Sequence, residues 1–119
     1  MQRLLLAYRA GGFSRDLAQG LSKDFEVHSC CQGDTALALL DSLQPDILIL
    51  ELTLPYLDGV AVLKSAAYTP PRVLALTSLW DARALEDLLD MGVSEILPIP
   101  CTVASVLSQL KAKAPSPGC

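Results

Sequence analysis

Ile47-Leu48-Ile49-Leu50 narrows the possible folds more than any other stretch of this chain. Apolar residues run without a polar break between Pro45-Asp46 and Glu51. A strand with one face in water alternates apolar and polar residues. An unbroken run signals a strand covered on both faces, which is the habit of parallel sheets. Such a strand needs helices above and below it, and segments of helical period stand before and after it.

Arg3–Ala7 predicts a first strand, and after Gly11-Gly12 the hydroxyl of Ser14 is the expected N-cap of a helix to about Leu21. Phe25–Ser29 alternates, with Phe25 and Val27 inward and Glu26 and His28 outward, as an edge strand does. Asp34 is expected to cap a helix whose Ala36, Leu37, Leu39, Leu40 and Leu43 form one stripe. Leu54–Gly59 predicts a turn, and Val60–Ala67 a helix that Pro70-Pro71 ends. Arg72–Thr77 is a second buried strand. Asp81–Met91 predicts a helix with Leu85, Leu88 and Leu89 inward, stopped by Gly92. Glu95–Pro98 is a short strand, and Thr102–Lys111 a helix with Val103, Val106, Leu107 and Leu110 on one face. Five βα units in succession select an α/β fold, a (βα)5 doubly wound parallel sheet of flavodoxin-like kind with strand order 2-1-3-4-5. Residues 1–112 make one domain, and 113–119 a flexible tail or the start of a linker.

Composition closes off several classes. The 119 residues hold 9 Lys and Arg against 13 Asp and Glu, a net charge of −4. An acidic chain with dispersed cations argues against direct nucleic-acid contact. No apolar stretch approaches the roughly 18 residues of a membrane span. The opening Leu4-Leu5-Leu6 run breaks at Tyr8-Arg9 with no cleavage signature, so a mature cytoplasmic protein is expected. Cys30, Cys31, Cys101 and Cys119 make no disulfide framework, and no Cys-x-x-Cys occurs. His28-x-Cys30-Cys31 lacks a second ligand pair at zinc spacing, so reduced structural thiols are expected and no metal or other cofactor.

In doubly wound sheets the functional crevice lies beyond the carboxyl ends of the strands. That directs attention to Tyr8-Arg9, Glu51, Thr77-Ser78 and Pro98-Ile99-Pro100. Pro45 to Gly59, with Glu51 closing the strand, Pro55 four residues later and Gly59 eight residues later, resembles the third strand and following loop of response-regulator receiver domains. Thr77 stands where receivers carry a small hydroxyl residue, and Gly92–Pro100 resembles the approach to their fifth-strand Lys-Pro. The likeness covers Met1 to about Ala112. Around Leu57–Leu63 the wording is closest to receivers of sporulation-initiation regulators.

The departures from that pattern carry as much weight as the match. The resemblance implies an acidic pair after the first strand to hold magnesium, since hard cations need oxygen ligands. Here Tyr8-Arg9 stands in its place. Glu51 replaces the acceptor Asp, Ile99 the Lys that neutralises the phosphoryl group, and Ile96 the aromatic switch residue. With metal and Lys both missing, phosphoryl transfer to a carboxylate has no catalyst. The expectation is a degenerate receiver that is no enzyme. In it Arg9 serves as a fixed counter-ion for Glu51, Thr77 donates to that carboxylate, and Tyr8 plugs the vacated metal place. The resemblance also implies a cis bond between Ile99 and Pro100.

Such a domain signals by protein contact, with a partner, with an output domain beyond the C-terminus, or with a second copy. The expected face runs over the fourth helix, fifth strand and fifth helix. It carries Trp80, Arg83, Glu86, Asp87 and Asp90 beside Ile96. Two other readings remain: a phosphorylatable receiver of a phosphorelay, and a flavodoxin-like ligand-binding module.

Overall fold

The computed structural model describes residues 1–78 and 82–112. Five strands, β1 (Arg3–Ala7), β2 (Glu26–Cys30), β3 (Ile47–Glu51), β4 (Arg72–Thr77) and β5 (Glu95–Pro98), form one sheet in the order β2-β1-β3-β4-β5. All four pairings are parallel. Five helices alternate with them: α1 (Gly12–Leu21), α2 (Gly33–Leu43), α3 (Gly59–Ser65), α4 (Ala82–Asp90) and α5 (Val103–Ala112). None of the described helices is long and apolar enough to cross a membrane. Trp80, Asp81 and the tail from Lys113 lie outside the described residues.

The two-residue side-chain period divides the sheet between two cores. Leu5, Leu48, Leu50, Val73 and Ala75 face α2, α3 and α4, where Leu40, Val62 and Leu88 are buried against them. Leu4, Leu6, Ile47, Ile49, Leu74 and Leu76 face α1 and α5, against Leu17, Leu21, Val106 and Leu110. Every residue of β3 is buried, as a strand covered on both faces must be. Each fully buried leucine contributes about 1.5–3 kcal/mol of transfer free energy.

Helix starts differ from the sequence expectation. Ser14 lies inside α1, whose N-cap is Gly11; the Ser14 hydroxyl donates back to the Gly11 carbonyl at 3.1 Å. Asp34 lies in the first turn of α2 behind an N-cap at Gln32, and accepts from the Thr35 amide instead. Asp58 does cap a helix, α3, by accepting from the Ala61 amide at 2.9 Å. The start of α2 is fixed by packing. A Cβ on Gly33 would stand 1.5 Å from the Leu57 carbonyl oxygen, so the β3–α3 loop lies directly on that glycine. Leu89, expected inward, is 53% exposed, because α4 seats on the core through Leu88. Gly92 ends that helix at φ +96°, a left-handed conformation that favours glycine.

Candidate functional site

Sheet register builds the site. β1 and β3 are neighbours, and Ala7 pairs with Leu50. One step further along each strand, Glu51 ends β3 while the chain leaves β1 through Tyr8 and Arg9. Glu51 shares the strand face of Ile47 and Ile49, and its side chain is fully buried. A carboxylate taken wholly out of water needs its lone pairs met by donors. Arg9 and Thr53 supply them. The Arg9 backbone amide donates to Oε1 at 2.9 Å and its Nε–H to Oε2 at 2.7 Å. Arg9 Nη2 makes a second, still closer ion-pair contact with Oε2. The Thr53 hydroxyl donates to Oε2 at 3.1 Å and accepts from Arg9 Nη2 at 2.8 Å. One residue thus grips the carboxylate by main chain and side chain together. Among the described residues no buried side-chain nitrogen or oxygen lacks a hydrogen-bond partner.

The pair is asymmetric in exposure. Glu51 is sealed in, while the Arg9 side chain is 59% exposed and forms the outer surface of the site. Hydrogen bonding to Glu51, and then its charge, raise the Arg9 pKa further above its ordinary value. The guanidinium is a permanent cation here, with the planar donor set that suits a carboxylate.

The other sequence-predicted residues are distributed around this centre. Tyr8 is half-buried, and its ring rests on Phe13 with centroids 5.1 Å apart and planes tilted by 48°. The ring thus leans on α1, whereas the sequence reading placed it as a plug in the metal position. Burial, and then the Glu51 charge, raise its phenol pKa. Thr77 is buried at the end of β4. Thr53, which the sequence reading passed over, donates its hydroxyl to Glu51. Ile99 packs against the α1/α5 core, and its amide donates to the Thr77 carbonyl at 3.0 Å. The Ile99–Pro100 bond is cis, and Pro100 is exposed. Ile96 is half-buried against the opposite core, toward α4. On α4, Glu86, Asp87 and Asp90 are exposed. The side chain of Arg83 falls outside the described residues, as does Trp80. Asp87 and Asp90 line a groove between α3 and α4, on the side of the helix facing away from β5's edge.

These groups do not fit a magnesium site. Hard cations take several oxygen ligands. The end of β1 offers a phenol and a guanidinium, and the oxygens of Glu51 already face four N–H and O–H donors. Among the described residues no three His, Cys, Asp or Glu side chains gather where they would hold an ion.

Comparison with known proteins agrees with this architecture. The family model of the response regulator receiver domain matches residues 13–111. The protein-glutamate methylesterase/protein-glutamine glutaminase 2 of Photobacterium profundum is 32% identical over 75 residues, covering 60% of this chain and 19% of its own. The probable C4-dicarboxylate response regulator DctR of Halalkalibacterium halodurans is 28% identical over 91 residues, 75% of this chain and 40% of its own. The chain therefore spans less than half the length of these curated relatives. A response regulator receiver domain protein (CheY-like) from Methanospirillum hungatei superposes with a TM-score of 0.83 at 18% identity, covering 95% of this chain and 93% of that one. At that identity the likeness concerns the fold.

Proposed function

The chain belongs to the response regulator receiver domain family, and we propose that it is a degenerate receiver, one that signals by protein contact without magnesium or carboxylate phosphorylation. The observation that carries this reading is the saturated, fully buried carboxylate of Glu51. An acceptor carboxylate must present a free lone pair to phosphorus, and a cation must neutralise the three oxygens of the group in transfer. Glu51 has its lone pairs turned to Arg9 and Thr53. Arg9 spends its charge on Glu51, and Ile99 stands where the family carries its Lys.

The guanidinium in this arrangement does the static part of a cation's work. It neutralises the carboxylate and ties the end of β1 to the end of β3. In this reading the Glu51 carboxylate, engaged by Arg9 and Thr53, is not free to receive a phosphoryl group. The domain's state is then set by its sequence, and its signal passes through a surface. The partner is another protein, an output domain of the same chain, or a second copy meeting it across α4 and α5.

Incubation with acetyl phosphate and magnesium, followed by intact-mass measurement, tests the chemical half of the reading. The expected outcome is an unchanged mass. A phosphoryl adduct that disappears in Glu51→Gln would overturn it and make the domain an ordinary phosphorelay receiver. Light scattering over a concentration series tests self-association. A monomer at all concentrations removes the second copy from the possible partners.

A further inference from the structure

A groove of about 1080 Å3 lies between α3 and α4, on the flank of the sheet away from α1 and α5. Its apolar surface comes from Val60 on α3 and Met91 after α4, both half-buried, above the buried Leu52, Leu54 and Leu88. Its rim is charged with one sign prevailing. Among the described residues that line it, Asp58, Asp87 and Asp90 stand against one cation, Lys64, and all four are exposed. An apolar trough whose described rim carries three carboxylates and one ammonium fits a ligand with an apolar stripe flanked by cations.

We propose that this groove is the docking site for a cationic amphipathic helix of a partner protein. Charge complementarity selects that occupant. Nucleic acid and anionic lipid headgroups would meet three carboxylates. A second copy of this chain, at net charge −4 and with the same acidic α4, would bring like charges together. Length agrees as well. The nine residues of α4 span about 14 Å at roughly 1.5 Å per residue, enough wall for a helix of about three turns. Such a helix anchors through residues at i, i+3 or i+4, and i+7, with Lys or Arg beside them to reach the rim.

The groove also touches the ion pair. Thr53, which bridges Arg9 and Glu51, and Thr77 both line it. A docked helix would therefore lie against Thr77, where receivers carry a small hydroxyl residue, and against the Thr53 bridge of the ion pair. The proposal rests on the domain acting by protein contact, and holds whether or not Glu51 accepts a phosphoryl group. Acetyl phosphate labelling reads that second question separately.

The test uses a fifteen-residue Leu/Lys amphipathic helical peptide as probe, with the Leu/Glu peptide of the same pattern as control, titrated into 15N-labelled protein. Shifts confined to Val60, Lys64, Asp87–Met91 and Thr53 are expected with the Lys peptide, with none from the Glu peptide. Asp87→Lys/Asp90→Lys should weaken binding roughly tenfold, equivalent to about 1.4 kcal/mol. Asp16→Lys/Asp24→Lys, which reverses two exposed charges outside the groove, should weaken it much less. Shifts spread over the whole acidic surface, equal weakening by both double variants, or no binding by the Lys peptide would each overturn the proposal.

Discussion

Glu51→Gln probes the ion pair at its centre. The amide keeps the shape of the carboxylate, and its oxygen keeps the bond from the Arg9 amide, 2.9 Å in the native pair. Its NH2 group then faces Arg9 Nε, Arg9 Nη2 and the Thr53 hydroxyl, which all approach Oε2 as donors. Two charge-assisted bonds are lost, each worth about 1.5–3 kcal/mol. Two effects offset that loss. A neutral amide carries less desolvation cost than a fully buried carboxylate, and the half-exposed Arg9 side chain returns to water. The net destabilisation is about 1–3 kcal/mol. A domain of this length loses roughly 4–6 °C of Tm per kcal/mol, so the midpoint should fall by about 5–15 °C. Urea and thermal unfolding followed by circular dichroism at pH 7 measure both quantities. Thr53→Val removes one neutral donor and leaves the guanidinium in place, so its loss should be smaller, about 0.5–1.5 kcal/mol. An unchanged or raised midpoint for Glu51→Gln would refute the claim that the ion pair is a net stabilising contact. Strict additivity of Glu51→Gln with Arg9→Gln would refute the pairing itself.

Other outcomes follow from contacts outside the site. Gly33→Ala should cost about 2–4 kcal/mol in urea unfolding, because its Cβ would stand 1.5 Å from the Leu57 carbonyl oxygen and the obstacle is backbone. Arg72→Met keeps the aliphatic stem but removes the guanidinium that donates to Glu95 at 2.9 Å and to the Gln109 carbonyl at 3.2 Å. The buried Glu95 carboxylate then retains Gln109 Nε2 at 3.0 Å, and a loss of about 2–4 kcal/mol is expected; less than 1 would show the pair to be dispensable. Burial pushes the Cys30 thiol from 9.0 to about 11. The unfolded chain therefore ionises first, so this contribution to stability is full below pH 9 and is lost as the pH rises toward 11. Denaturation midpoints of wild type and Cys30→Ala across that window should converge as pH rises, and parallel curves would exclude the effect.

Strand positions were legible because the central strands are apolar runs with hard stops. Arg3–Ala7, Arg72–Thr77 and Glu95–Pro98 fall where the pattern puts them. Helix starts were less legible because capping residues are a local signal, and α2 begins for a non-local reason. α2 starts where Gly33 passes under Leu57, and no pattern near Asp34 announces a contact with a loop 24 positions later. Leu89 misled for a related reason. Leu85, Leu88 and Leu89 form one stripe on a helical wheel, but the seam on the sheet admits Leu88 and leaves Leu89 outside. The nearness of Arg9 and Glu51 could be read from topology, since order 2-1-3-4-5 makes β1 and β3 neighbours with their ends at one edge. Thr53 could not. It lies two residues past the strand, and its direction depends on how the chain turns from Leu52 back toward Gly59, whose amide donates to the Leu52 carbonyl at 2.9 Å.

That turn links the two functional arguments. Leu52 is buried, and the Gly59 amide holds its carbonyl, which brings the start of α3 close against the end of β3. Thr53 is left exposed between them, with its hydroxyl on the Arg9–Glu51 pair and its side chain on the α3–α4 groove. A ligand seated in the groove reaches the ion pair through that hydroxyl, which accepts from the guanidinium and donates to the carboxylate. The charge balance makes this the accessible route. Glu51 and Arg9 sum to zero, so an ion approaching from solvent meets a cation already neutralised and a carboxylate with no free oxygen. A partner docked in the proposed groove would act on the site through the neutral residue at its edge.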